Sequence, residues 1–150
     1  MDEHVATKGI LRSLEVAGDA AVERSLIGAI NAHNVSLHQA AAGPVMSSGD
    51  VAITQGGCGP VMCSGDVTIR QGGCGPSIVH GNLSIEQGGT QSVIAAGEAR
   101  LGDHAYVGVV LAPKVTVEAG AKVLLSTPQA LAFGAGAGVA VALLSRLFRR

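Results

Sequence analysis

Gly49-Asp50-Val51-Ala52-Ile53-Thr54-Gln55-Gly56-Gly57-Cys58-Gly59-Pro60 returns sixteen residues later as Gly65-Asp66-Val67-Thr68-Ile69-Arg70-Gln71-Gly72-Gly73-Cys74-Gly75-Pro76. A fainter copy follows as Gly81-Asn82-Leu83-Ser84-Ile85-Glu86-Gln87-Gly88-Gly89-Thr90. A fixed short period means one small unit stacked on copies of itself. Such a unit cannot bury its own apolar face, so neighbouring units must bury it together. Within each unit apolar and polar residues alternate, as in Val51-x-Ile53 and Val61-x-Cys63, which is strand patterning. Gly-Gly, Gly-Pro and Ser-Gly pairs interrupt it every few residues and read as tight corners. Glycine and proline recur too often for any helix interior. The pattern predicts an all-β fold, a parallel β-helix (solenoid).

The register extends outward. Asn34-Val35-Ser36-Leu37-x-Gln39 aligns one coil upstream, and Gly18-Asp19 fits one coil earlier if a residue is dropped. Downstream, Gly97-Glu98-Ala99-x-Leu101-x-Asp103 and Lys114-Val115-Thr116-Val117 stay in step. This gives about six 16-residue coils over residues 19–125, with degenerate first and last copies. Stacking predicts inward columns Val35, Val51, Val67, Leu83, Ala99, Val115 and Leu37, Ile53, Ile69, Ile85, Leu101, Val117. A third column, Met46, Met62, Ile78, Ile94, Val110, is placed inward too, although the pattern marks its side less sharply. The outward column Gln39, Gln55, Gln71, Gln87 can form an amide ladder.

Composition agrees with a thin core. Aromatic residues make up 2% of the chain and tryptophan is absent, whereas ordinary globular cores lean on large rings. The length suits one domain, and a formal net charge of −1 without a basic stripe argues against nucleic acid as a partner.

The ends differ from the middle. Residues 1–17 lack a Gly-Asp corner and read as an N-terminal tail, with residues 1–8 the most tail-like part; no basic region followed by a long apolar run marks a secretory signal. Residues 18–125 form the β-helix domain, and residues 126–150 a separate module. No charge occurs between Lys122 and Arg146, an interval of 23 residues. Thr127-Pro128 reads as a helix cap followed by proline at the first helical position. Residues 128–147 as a helix would span about 30 Å, close to the hydrocarbon thickness of a bilayer. Leu131, Phe133, Val139, Val141, Leu143, Leu144 and Phe148 would face lipid, and Arg146, Arg149 and Arg150 would reach anionic headgroups. Gly134 and Gly138 have the GxxxG spacing that lets two helices approach closely. The bland alternative is an apolar helix that caps the solenoid or packs between subunits. A full span that obeys the positive-inside tendency would place the solenoid outside, a tail anchor would carry the arginines across, and shallow insertion would return them to anionic headgroups; the preferred reading keeps the rod on the cytoplasmic face of a bacterial membrane.

Candidate chemistry is sparse. Cys58 and Cys74 share a column within disulfide reach, but stacked side chains point in parallel; Cys63 aligns with Ser47, Val79 and Ala95. No CxxC spacing occurs, so all three cysteines read as small packing residues, and free thiols fit a reducing compartment. The column Asn34, Asp50, Asp66, Asn82, Glu98 reads as corner chemistry rather than a calcium site. Arg70 and Glu86 form a surface pair, and His4, His33, His38, His80 and His104 share no column. No catalytic residue, cofactor site or metal site emerges.

The stacked Gly-Asp/Asn-[Val/Leu]-x-Ile units at 49–53, 65–69 and 81–85 resemble the bactofilin family, bacterial polymer-forming cytoskeletal proteins. The resemblance covers roughly residues 19–125. It implies a right-handed triangular β-helix, end-to-end polymerisation without nucleotide, and membrane attachment through a terminal segment. The Gln-Gly-Gly-Cys-Gly-Pro corners and the long C-terminal apolar run depart from it. Open strand edges at solenoid ends support assembly independently. The end-coil residues are Val22 and Leu26 on one side and Val115, Val117 and Val123 on the other. The sequence therefore points to a non-enzymatic scaffold whose partners are copies of itself and membrane lipids. The alternative is a membrane-tethered module that docks other, unidentified proteins along the solenoid face without polymerising.

Overall fold

The computed structural model describes residues 9–125, all of them in strands, corners and turns. The chain winds as a parallel β-solenoid of about seven coils. Each full coil contributes strand segments to three faces. The first face stacks Ala20–Glu23, Val35–His38, the opening of Val51–Cys58, Val67–Cys74, Leu83–Ala95 and Glu98–Leu111, and finally Lys114–Val117. The second stacks Ile10–Leu11, Leu26–Ile27 and Ala41–Ala42, then the later parts of those longer strands, then Lys122–Leu125. The third stacks Leu14–Glu15, Ile30–Ala32, Val45–Ser47, Val61–Cys63 and Ser77–Val79, then the ends of the two longest strands. Every pairing is parallel.

The expected inward columns fill the core except at their last members, Val115, which is half-buried, and Val117, which is 48% exposed, because no further coil covers the strand Lys114–Val117. Val35, Val51, Val67, Leu83 and Ala99 are buried, as are Leu37, Ile53, Ile69, Ile85 and Leu101. One coil supplies Val51, Ile53, Val61 and Cys63 to the interior, each at most 2% exposed. The core is thus one side chain deep from each face, which is why medium aliphatic residues suffice.

Three expectations change. The repeat starts earlier than Gly18, because Ile10 and Leu11 pair with Leu26 and Ile27, and Leu14 pairs with Ile30. These two-residue strands lack the Gly-Asp corner that marks later coils. Next, the chain gains one residue near Gly102: Ile85 and Leu101 are paired, but Gln87 pairs with His104 and Ile94 with Leu111. Finally, Met46, Met62, Ile78 and Ile94 face outward rather than inward, because their neighbours Val45, Val61, Ser77 and Val93 take the buried positions. Val110 is buried, since the extra residue sets it opposite Val93.

Glycine is required where coils touch backbone to backbone. A β-carbon on Gly56 would overlap the carbonyl oxygen of Ala40, whereas one on Gly57 would meet only the Gly73 carbonyl oxygen at 3.5 Å, an ordinary contact. Gly56→Ala is therefore expected to lower stability by about 1–3 kcal/mol through overpacking, and Gly57→Ala to leave it nearly unchanged. Thermal unfolding followed by circular dichroism would distinguish the two adjacent substitutions.

Candidate functional site

The repeated residues build ladders, and each ladder has a structural use. At the corner entering the first face, one side chain serves the next coil. The Asp50 amide donates to Asn34 Oδ1 at 2.8 Å, Asp66 to Asp50 Oδ1 at 2.8 Å, Asn82 to Asp66 Oδ1 at 2.7 Å, and Glu98 to Asn82 Oδ1 at 2.8 Å. The preceding glycine makes room for that oxygen: a β-carbon on Gly65 would overlap Asp50 Oδ1. The Gly-Asp pair is one device, a bare corner and the acceptor that fills it. Among the described residues no group of three His, Cys, Asp or Glu side chains is set to hold a metal ion.

The glutamine column forms the expected amide ladder. Gln39 Nε2 donates to Gln55 Oε1 at 3.0 Å, Gln55 to Gln71 at 3.0 Å and Gln71 to Gln87 at 3.2 Å. Arg24 Nε extends it by donating to Gln39 Oε1 at 3.1 Å. Arg70 and Glu86 do pair on the surface, at 3.8 Å with both side chains mostly exposed, so their contribution to stability is small.

The cysteines depart from the expectation of three free thiols. Cys58 and Cys74 form a disulfide across adjacent coils, with α-carbons 4.7 Å apart, on the inward side of the second face. Parallel stacking did not keep the sulfurs apart, because rotation about the Cα–Cβ bonds turns them toward each other. Cys63 is free and buried, and its thiol donates to the Gly49 carbonyl at 2.9 Å. Burial is the main cause that raises the Cys63 pKa, so it stays a thiol and serves as the small core residue foreseen for it. The 16-residue separation of Cys58 and Cys74 gives a bond worth about 3 kcal/mol by loop closure. Cys58→Ser/Cys74→Ser should lose that stability relative to the oxidised protein, and added reductant should lower the melting temperature of the wild type but not of the variant.

The end coils are uneven. Val115 and Val123 are half-buried, Val117 is 48% exposed and Leu124 is 64% exposed. At the other end Val22 is buried, and Leu26, 55% exposed, is not on the last rung because Ile10 pairs beyond it. Glu98 clasps the C-terminal rung: Thr116 Oγ1 donates to its Oε1 at 2.7 Å, Lys114 Nζ lies 3.3 Å from Oε2, and Arg100 Nε 3.3 Å from Oε1. Sequence pattern had shown only a degenerate corner residue there. The Thr116 hydrogen bond, then Lys114 and Arg100, hold the Glu98 carboxyl below its ordinary pKa. A depressed folded-state pKa stabilises above the unfolded value and loses that stabilisation as pH falls through the folded one. Protection of the Lys114–Val117 amides, taken relative to the intrinsic exchange rate at each pH, is accordingly expected to fall selectively as pH drops below the ordinary carboxylate range, and Glu98→Gln should abolish that selectivity.

The proposed membrane residues Leu131, Phe133, Val139, Val141, Leu143, Leu144, Arg146, Phe148, Arg149 and Arg150, and the helix-packing pair Gly134 and Gly138, lie outside the described residues. So does the tail at 1–8. Among the described residues no helix is long and apolar enough to cross a membrane. The geometry defines a class, the parallel β-solenoid. No protein family, curated protein or solved structure matches the chain.

Proposed function

We propose that the protein is a non-enzymatic scaffold that assembles with copies of itself through its coil ends and attaches to a membrane through residues 126–150. One observation carries the reading. Among the described residues, Ile10–Leu11, Leu14–Glu15, Lys114–Val117 and Lys122–Leu125 each pair with a strand on one side only. A one-sided strand offers the same backbone pattern that every interior coil uses to hold its neighbour, so a second copy can continue the stack. The resemblance of the repeat to bactofilins supports the same reading. Attachment rests on the uncharged 23-residue interval and the arginines behind it. We place the rod on the cytoplasmic face of a bacterial membrane. The Cys58–Cys74 disulfide removes the free-thiol argument for a reducing compartment, so this placement rests on the arginines alone.

Electron microscopy of the purified chain should show filaments or sheets, and Val117→Pro, which removes an edge N–H and bends the strand, should convert them to discrete particles. Discrete particles from the wild type, with monomer sedimentation in detergent at micromolar concentration, would instead favour the docking module. Deleting residues 126–150 should abolish co-sedimentation with anionic liposomes; unchanged binding would remove the anchor.

A further inference from the structure

The outward side of the third face carries the longest continuous run of exposed aliphatic residues among the described residues. Met46, Met62, Ile78 and Ile94 stack in register there and are 52%, 51%, 40% and 49% exposed. Leu111 tops the column opposite Ile94. The outward positions of the first face are Ser36, Ala52, Thr68 and Ser84, and along the second face the exposed apolar residues Ile10 and Leu26 at one end are separated from Tyr106 near the other by Ala41, Gly57, Gly73 and Gly89. An unbroken aliphatic stripe of four or more rungs is therefore found on the third face, against a two-rung pair, Ile10 and Leu26, on the second. Below Met46 the same column changes character, passing to Asn31 and then Glu15, both exposed. From top to bottom it reads as five apolar residues, one amide and one carboxylate.

The chain itself supplies a segment with the matching order. Its last described strand, Lys122–Leu125, sets Leu125 opposite Val109, at the start of the third face and beside the top of this column. The sequence continues from there with Thr127-Pro128, runs without charge to Ser145, and ends with Arg146, Arg149 and Arg150. Six rungs separate Leu111 from Glu15, about 29 Å at ~4.8 Å per rung. Residues 128–147 in helical form would span about 30 Å. In that form the lengths would agree, apolar residues would meet apolar residues, and the arginines would arrive at Glu15.

We infer that this column is the seat of the chain's own C-terminal run, residues 129–150. A second copy fits less well. Four half-exposed side chains fall well short of the ~800 Å² per partner that a stable interface buries. A tethered segment needs far less area, because a short linker holds it at millimolar effective concentration. The inference goes beyond the membrane reading and does not depend on assembly. One apolar run cannot cover the stripe and enter a bilayer together, so the stripe competes with lipid for it.

The test places a photo-crosslinker in the full chain as Ile78→p-benzoylphenylalanine, without lipid. Mixed isotopically labelled and unlabelled protein is irradiated, and the linked peptides are identified by mass spectrometry. Peptides from residues 129–150 carrying the same label as position 78 are expected. Met62→Asp/Ile94→Asp should lower that yield by about tenfold or more. Glu15→Arg, an exposed change that leaves the core untouched, should lower it about two- to fivefold. Crosslinks to residues 9–125 of another copy, mixed-label tail peptides, or no tail peptide at all would overturn the assignment. Because the readout needs neither filaments nor liposomes, its failure is separable from failure of the scaffold reading.

Discussion

The backbone of each coil must meet the backbone of the next at one strand spacing on all three sides of the turn. Most other features follow from that constraint. Equal spacing requires nearly equal coil lengths, so the repeat holds at 16 and departs from it by single residues near the two ends. Amides at the corners donate across coils with little variation, as in Val35 to Asp50, Val51 to Asp66 and Val67 to Asn82, each at 2.9 Å. At the corner between the first and second faces the same spacing leaves no room for a β-carbon at Gly56, Gly72 or Gly88, each of which would overlap a backbone carbonyl of the coil below. The glycines of the repeat are therefore set by neighbouring coils as much as by local turn geometry.

The corner between the first and second faces shows how strain and side-chain bonding are balanced. Arg24, Gln39 and Gln55 adopt positive φ of 49°, 52° and 55°, a region that costs a non-glycine residue about 1–2 kcal/mol. These are the residues joined by the lower part of the polar ladder. Gln71 pairs with Thr54, one residue out of step with the rungs on either side. The ladder passes through that irregularity without a break, since Gln55 still reaches Gln71. Flexible amides tolerate a backbone offset that a rigid aliphatic column would not.

Most of the fold could be read from residues 34 to 101, because alternation and corner spacing repeat there without interruption. The limits of that reading have physical causes. Ile10–Leu11 and Leu14–Glu15 are too short to display a period by themselves. The extra residue near Gly102 leaves the apolar pattern plausible in either register: Val109, Val110 and Leu111 are all suitable partners for Ile94 by type, and only pairing selects Leu111. The disulfide was missed for a different reason. Column geometry fixes where Cβ atoms start, and χ1 decides where sulfur ends. The Glu98 clasp draws on Lys114 and Thr116 one coil away, and no single-coil motif announces it.

The outward aliphatic stripe tests how far a hydrophobic column may be taken as core. On a strand of three residues, Val45-Met46-Ser47 or Val61-Met62-Cys63, two side chains share one side and the middle one takes the other. A coil one side chain deep accepts the smaller flanking pair and turns the long middle residue out. Had Met62 pointed inward, Val61 and Cys63 would both face water and each third-face strand would give the core one side chain instead of two. Core packing thus dictates the exposure of the middle position but does not dictate that it be apolar. Asn31 occupies the same position one coil below Met46, between buried Ile30 and Ala32, and Glu15 the next, between half-buried Leu14 and Val16. The aliphatic choice at Met46, Met62, Ile78 and Ile94 is therefore free of the fold's own demands, and an explanation for it has to come from whatever lies against that face.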